Sequence, residues 1–162
     1  MDLNVRRIRP DDGLLLKRVR LAALADAPSA FAGTYEDEAG RSDDEWHHRA
    51  EGGSRGADRA AFFAEFDGDV RGLVGGNRCN DAELVSMWVH PTARGSGAAE
   101  ALLGAVIEWA QGPLELSVVQ GNARAIAFYR RMGFIEVSDF QSSPSGPCAN
   151  EMRMRLGQRS GS

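Results

Sequence analysis

Apolar and charged positions alternate loosely over residues 3–8, the period-two pattern of a first strand. Pro10-Asp11-Asp12 then offers a turn and an N-cap. Leu15, Val19 and Ala22 follow at helical spacing and predict a helix to about residue 25, stopped by Ala27-Pro28. Residues 28–41 read as irregular, with an acidic patch at Glu36, Asp37 and Glu38. Ser42 and Glu45 have the S-x-x-E spacing of a capping box, so a short second helix should run from Ser42 to about Gly52-Gly53, with a loop over 53–58. Phe62, Ala64 and Phe66 mark a strand, Asp67-Gly68 a hairpin turn, and residues 70–78 the returning strand. Asn80-Asp81 turns the chain again into a third strand over 83–89.

The pattern then changes. His90-Pro91 closes that strand and Arg94-Gly95-Ser96-Gly97 opens a helix, whose apolar stripe is Leu102, Leu103, Val106 and Ile107. Gly112-Pro113 ends it, and Leu114, Leu116 and Val118 form the next strand. A strand–helix–strand crossover of this length predicts a parallel pair. Asn122 caps a further helix to Met132, with Gly133 as its C-terminal glycine. Residues 134–140 and 150–156 make a last strand pair joined by a Ser/Pro/Gly loop, and 157–162 read as a flexible tail on a single domain of residues 1–156.

The 162 residues are 43% hydrophobic and 26% charged, ordinary globular composition, and no apolar run approaches the length of a membrane span. The net charge of −4 speaks against a nucleic-acid footprint. Lys17 is the sole lysine among 19 basic residues, a bias that genome composition accounts for. Two cysteines, Cys79 and Cys148, give neither a disulfide framework nor a zinc pattern, and residues 1–9 lack the apolar core of a signal peptide. A reduced, cytoplasmic protein with no metal is the expectation.

Two segments carry chemistry. Glycines in Arg94-Gly95-Ser96-Gly97-Ala98-Ala99 let backbone approach a ligand, and the free N–H groups of the helix start attract an anion. The run lacks the Gly-Lys-Ser/Thr of the nucleoside-triphosphate loop and the G-x-G-x-x-G of dinucleotide folds. By itself it is equally a plain strand-to-helix turn. In the second segment, residues 122–134, Asn122 and Tyr129 lie seven apart on one helix face, about 10 Å along the axis.

Together these segments resemble the GNAT superfamily of acyl-CoA-dependent N-acetyltransferases. Arg94, Gly97 and Ala99 match its Q/R-x-x-G-x-G/A signature. Asn122, Ala125, Phe128, Tyr129, Gly133 and Phe134 match its second motif, and Met87-Trp88-Val89-His90-Pro91 its strand lead-in. The resemblance implies an α/β fold with a mixed, mostly antiparallel twisted sheet, splayed central parallel strands and helices on both faces. It implies acetyl-CoA as cosubstrate and an amine as acceptor, with no nucleic acid, membrane or metal involved. Met87, Trp88 and Val89 would line the pantetheine, residues 94–99 (Arg94, Gly95, Ser96, Gly97, Ala98 and Ala99) would hold the pyrophosphate, and Asn122, Ala125 and Tyr129 would contact the arm and thioester. Relatives often pair through their last strands, so a homodimer is compatible, although the sequence holds no direct signal for one.

For the acid, Tyr129 suits proton donation to the leaving thiolate. For the base, simple alternation places Glu83, Val85, Met87 and Val89 on one face, so Glu83 lies on the cofactor-lining side or its opposite, depending on any bulge. Similar sequences carry a water-linked glutamate base here, against the plain reading of a solvent-facing carboxylate at a strand start. Ser117, where some relatives place the base, cannot serve, and Glu115 is the second candidate. His47-His48 point to different faces of a helix, which argues against a metal pair, and one of them or Trp46 is a candidate for the acceptor entrance. Trp88 and Trp109 read as packing residues and Cys79 as a core thiol. The acidic run, if it faces the site, would draw cationic acceptors. The alternative to an enzyme is a noncatalytic acyl-CoA-binding domain on the same fold.

Overall fold

A computed structural model of the chain describes residues 2–28, 34–78, 81–119, 121–137, 141–142 and 150–157. The turn expected at Asn80, both cysteines, the loop before the last strand and residues 158–162 of the tail lie outside them.

Strand β1 (Leu3–Arg7) leads into α1 (Gly13–Asp26). The expected cap at Asp12 is absent: its carboxylate accepts from Arg6 and from the Arg9 N–H and makes no bond to the helix. The region expected to be irregular contains a short helix, α2 (Tyr35–Ala39), capped by Thr34. Ser42 caps α3 (Asp43–Arg55) as expected, accepting from the Glu45 N–H at 3.2 Å. The helix runs on through Gly52-Gly53 to Arg55, because Gly53 packs against Ile8 and Ala61 and leaves α3 close to the sheet.

The meander follows as β2 (Arg59–Phe66), β3 (Asp69–Arg78) and β4 (Ala82–Val89). Asp67 and Gly68 both adopt positive φ at the hairpin, 51° and 89°, as a primed turn requires. A short 3-10 turn at Pro91–Ala93 precedes α4 (Ala98–Ala110). The chain continues through β5 (Leu114–Val119), α5 (Ala123–Arg131), β6 (Ile135–Glu136), β7 (Gln141–Ser142) and β8 (Asn150–Leu156). The strand expected over 134–140 is much shorter, and β8 pairs with β5 on one side and β6 on the other.

The sheet order is β1-β2-β3-β4-β5-β8-β6, with β7 beside β8. Neighbours are antiparallel except β4 and β5. Helices cover both faces. On one, α1 and α3 bury Val19, Ala23 and Ala50 against Phe63, Leu73 and Trp88. On the other, α4 and α5 bury Leu102, Leu103, Val106 and Ile126 against Val74, Leu84, Leu116 and Met154. Gly76 keeps α4 close: a Cβ there would sit 2.6 Å from the Trp109 ring.

Candidate functional site

The parallel pair β4–β5 barely forms. Its register covers Ala82↔Leu114 and Glu83↔Glu115, after which both strands continue without pairing to each other. The result is a fork that opens toward the C-terminal ends of both strands. His90 donates its N–H to the Arg71 carbonyl on β3, so Val89, one residue earlier, turns its own N–H toward the β5 side.

An extra residue in β4 determines which side chains line the fork. Leu73 pairs with Trp88 but Gly75 pairs with Val85, so Val74 alone faces both Ser86 and Met87. Ser86 takes a positive φ of 58° at this bulge, and its Oγ accepts from Arg20 of α1 at 3.1 Å. Side chains therefore change faces midway. Ala82 and Leu84 point to the α4 side before the bulge, and Met87 and Val89 after it. Glu83 and Val85 take the opposite face, as does Trp88. The single face predicted for Glu83, Val85, Met87 and Val89 is thus broken: Glu83 lies across the sheet from the other end of its strand.

At the mouth of the fork stands the N-terminus of α4. Gly97 is its N-cap with φ of 93°, and Gly95 has φ of 80°, values that disfavour any side chain. A Cβ at either would meet nothing within 4 Å, so the backbone here borders open space. Among the described residues the N–H groups of Gly95 and Gly97 bond no backbone carbonyl, while the Ala98 N–H donates to the Ser96 Oγ at 3.4 Å. Ser96 is exposed, its hydroxyl donating to the Ala93 carbonyl, and Ala98 is buried. Ala99 is half-buried and Arg94 is exposed. Arg94 donates to the Val89 carbonyl at 3.2 Å and to the Asp26 carboxylate. Free N–H groups, open glycines and an arginine fit a pyrophosphate.

Asn122 caps α5 by accepting from the Ala125 N–H at 3.2 Å, and Ala125 packs at the edge of the core. Tyr129 is buried on α5, edge-on to Phe128 and Phe134 with centroids 5.2 and 5.5 Å away. Burial pushes its phenol well above the usual tyrosine value. Among the described residues nothing bonds its hydroxyl.

On the far face, Glu83 and Glu115 stand side by side beneath the fork. Arg153 of β8 donates to Glu83 at 2.5 Å, to Ser117 at 2.7 Å and to Glu115 at 2.7 Å. Arg155 takes the other Glu115 oxygen at 2.6 Å and lies 3.8 Å from Asp81. The Arg153 hydrogen bond, with the charges of both arginines, holds the Glu115 carboxyl below the usual carboxylate range. Neither arginine was singled out from the sequence. The signal was the strict alternation Met152-Arg153-Met154-Arg155, which puts both on the face away from the core.

Other expectations change. Trp46 is 1% exposed, so it lines no entrance, while His47 and His48 are exposed. Among the described residues no group of side chains is arranged to hold a metal. Glu38 of the acidic patch is 5% exposed and turned inward among Arg20, Arg41 and Arg49. Trp88 is buried as expected of a packing residue, its indole donating to Asp26 at 3.0 Å on the α1 side, so only its backbone borders the fork. Trp109 packs beneath α4 with the Arg78 guanidinium 4.8 Å over its ring.

Residues 21–134 match the acetyltransferase (GNAT) family. The chain belongs to that family. No curated protein matches it. Among solved structures, this GNAT chain is similar to yncA from Salmonella typhimurium, solved with its cofactor acetyl-CoA, at 17% identity, covering 99% of this chain and 97% of that one with a TM-score of 0.77. It is also similar to a ribosomal-protein-alanine N-acetyltransferase from Brucella melitensis, at 24% identity over 94% and 98% with a TM-score of 0.75. A nourseothricin acetyltransferase is 30% identical over 61% of this chain and 65% of its own, with a TM-score of 0.57. The mixed sheet, its one parallel pair and the helices on both faces are those of the GNAT fold. No helix is long and apolar enough to cross a membrane among the described residues.

Proposed function

We propose that the protein is an N-acetyltransferase that passes the acetyl group of acetyl-CoA directly to a primary amine of a small molecule or a protein. The observation that carries this reading is the fork between β4 and β5, opening beside the glycine-bordered N-terminus of α4. The fork offers unpaired strand backbone to an extended pantetheine arm, and the helix start offers N–H groups to its pyrophosphate. Residues 94–99 hold the phosphates, Met87 and Val89 border the arm, and Asn122 and Ala125 flank it from α5.

Acetyl-CoA supplies an activated acyl group as a thioester. An alkyl ammonium is neutral in only about one part in a thousand at pH 7.4, so a proton must be removed first. Glu83 takes it through water, with Glu115 the second candidate beside it. The Val89 N–H steadies the negative charge that builds on the carbonyl oxygen. Tyr129, kept protonated by its burial, gives a proton to the departing sulfur. Asp81, Glu83 and Glu115 gather around Arg153 and Arg155 beneath the fork, a carboxylate cluster that supports a cationic acceptor.

The test is release of CoA from acetyl-CoA with a panel of amines, beside cofactor affinity. Turnover of one class of amine supports the reading. Tight CoA binding with no turnover on any amine would favour a noncatalytic acyl-CoA-binding domain.

A further inference from the structure

Glu83 and Glu115 are register partners on adjacent strands, which lie about 4.8 Å apart. Their side chains share the face turned away from α4, since Leu84, Leu114 and Leu116 take the other. Two carboxylates this close repel, and the usual result is that one keeps its proton. Here a single guanidinium removes the conflict. Arg153 belongs to β8, two strands from β4, and must cross β5 to reach Glu83. It crosses at its own register partner, Ser117, which is small and accepts a hydrogen bond at 2.7 Å on the way. One terminal nitrogen, Nη1, serves Glu83 and Ser117, and the other, Nη2, serves Glu115. The planar fork of arginine suits this division, whereas a lysine has one nitrogen to give.

We propose that Arg153 is a positioning residue that bridges Glu83 to Glu115 and fixes the Glu83 carboxylate below the fork. Its place in catalysis rests on the reading of Glu83 as the base. The groups facing Glu83 are Glu115 from β5, Arg153 and Arg155 from β8, Asp81 from the start of its own strand and the uncharged Asn77 from β3. Arg153 itself shows the same coupling. Burial acts to lower its guanidinium, but its bonds to Glu115 and Glu83 prevail and raise it. Removing Arg153 leaves Glu83 between Asp81 and Glu115, with Arg155 as the nearest remaining cation.

The experiment compares wild type, Arg153→Gln, Arg153→Lys and Glu83→Gln, with each Arg153 change also made in the Glu83→Gln background, using acetyl-CoA and three probe acceptors: spermidine and peptides ending in a free alanine or bearing a lysine. In Arg153→Gln kcat is expected to fall about tenfold while KM for acetyl-CoA stays near wild type, and in the Glu83→Gln background the same change is expected to cost nothing further. Arg153→Lys is expected to fall between the two, and it carries the test alone should Arg153→Gln fail to fold. In parallel, 13C-carboxyl NMR of glutamate-labelled free protein, assigned with Glu115→Gln, follows Glu115, whose midpoint is expected to rise once Arg153 is replaced. Wild-type kcat in both single variants overturns the proposal, as do losses that add in full in the Glu83→Gln background, the pattern of a merely structural ion pair. If wild type turns over none of the probes, the acyl-transfer reading fails for these amines, while a raised Glu115 midpoint still supports the Arg153 bridge.

Discussion

Asp26, the last residue of α1, accepts from the Trp88 indole N–H at 3.0 Å and from the Arg94 guanidinium with the same oxygen, Oδ2. One carboxylate therefore ties the end of α1 to the end of β4 and to the arginine just ahead of α4. The indole bond, joined by Arg94, keeps Asp26 below the usual aspartate range. On the proposed reading, Arg94 meets an incoming phosphate already engaged. Asp26→Asn keeps an acceptor for the indole but removes the competing charge, so CoA should bind more tightly. The gain should be at most about fivefold, since an exposed pair contributes no more than about 1 kcal/mol. Calorimetric titration with CoA measures it, and weaker binding would mean that Asp26 serves to aim Arg94 rather than to compete for it.

Gly97→Glu should abolish the rise in melting temperature that CoA gives the wild type by mass action, while ATP and NAD should give none. The substitution forces a side chain into a left-handed conformation, at about 1 to 2 kcal/mol, and sets a carboxylate beside the free N–H groups. A normal CoA shift in this variant would move the pyrophosphate elsewhere.

Tyr129→Phe removes a hydroxyl that bonds nothing among the described residues and keeps the ring's contacts with Phe128 and Phe134. Melting temperature and CoA affinity should stay near wild type while kcat falls by roughly 100-fold. Because burial raises the phenol, it stays protonated throughout the working range, and no basic limb should appear or vanish with it. Full activity would leave Tyr129 a packing residue.

Much of the fold was legible because it rests on local chemistry. The Asp67-Gly68 turn, the Ser42 and Asn122 caps and the 3.6-residue stripe of α4 each declare themselves within a few positions. The motif residues 94–99 and 122–129 were legible for the same reason. What was hidden depends on contacts distant in sequence. Arg153 meets Glu83 across 70 positions, and the inward turn of Glu38 follows from arginines on two other helices and a loop. The bulge at Ser86 was invisible because alternation in β4 reads cleanly through it and only the register with β3 reveals the extra residue.

Glu38 sets an acid limit on stability. Burial alone would raise its carboxyl, but the Arg41 hydrogen bond and the charges of Arg49 and Arg20 outweigh it and hold the carboxyl below its ordinary value. A depressed folded-state value contributes stability above the unfolded value, and that contribution is lost as pH falls through the folded one. Glu38→Gln should cost about 3 kcal/mol at pH 7, and the difference from wild type should shrink below about pH 4. Denaturant melts at pH 7 and pH 3 check the sign, and an equal cost at both would assign the loss to packing.

The single extra residue in β4 turns the two ends of one strand to opposite sides of the sheet. On the proposed reading, the thioester arrives along the α4 side, where Met87 and Val89 point, and the amine from the side of Glu83. The two reactants then meet through the gap in the wall, and neither stands in the other's path. Such an enzyme has no need to discharge one product before admitting the second substrate, and initial-rate lines at varied concentrations of both should intersect rather than run parallel.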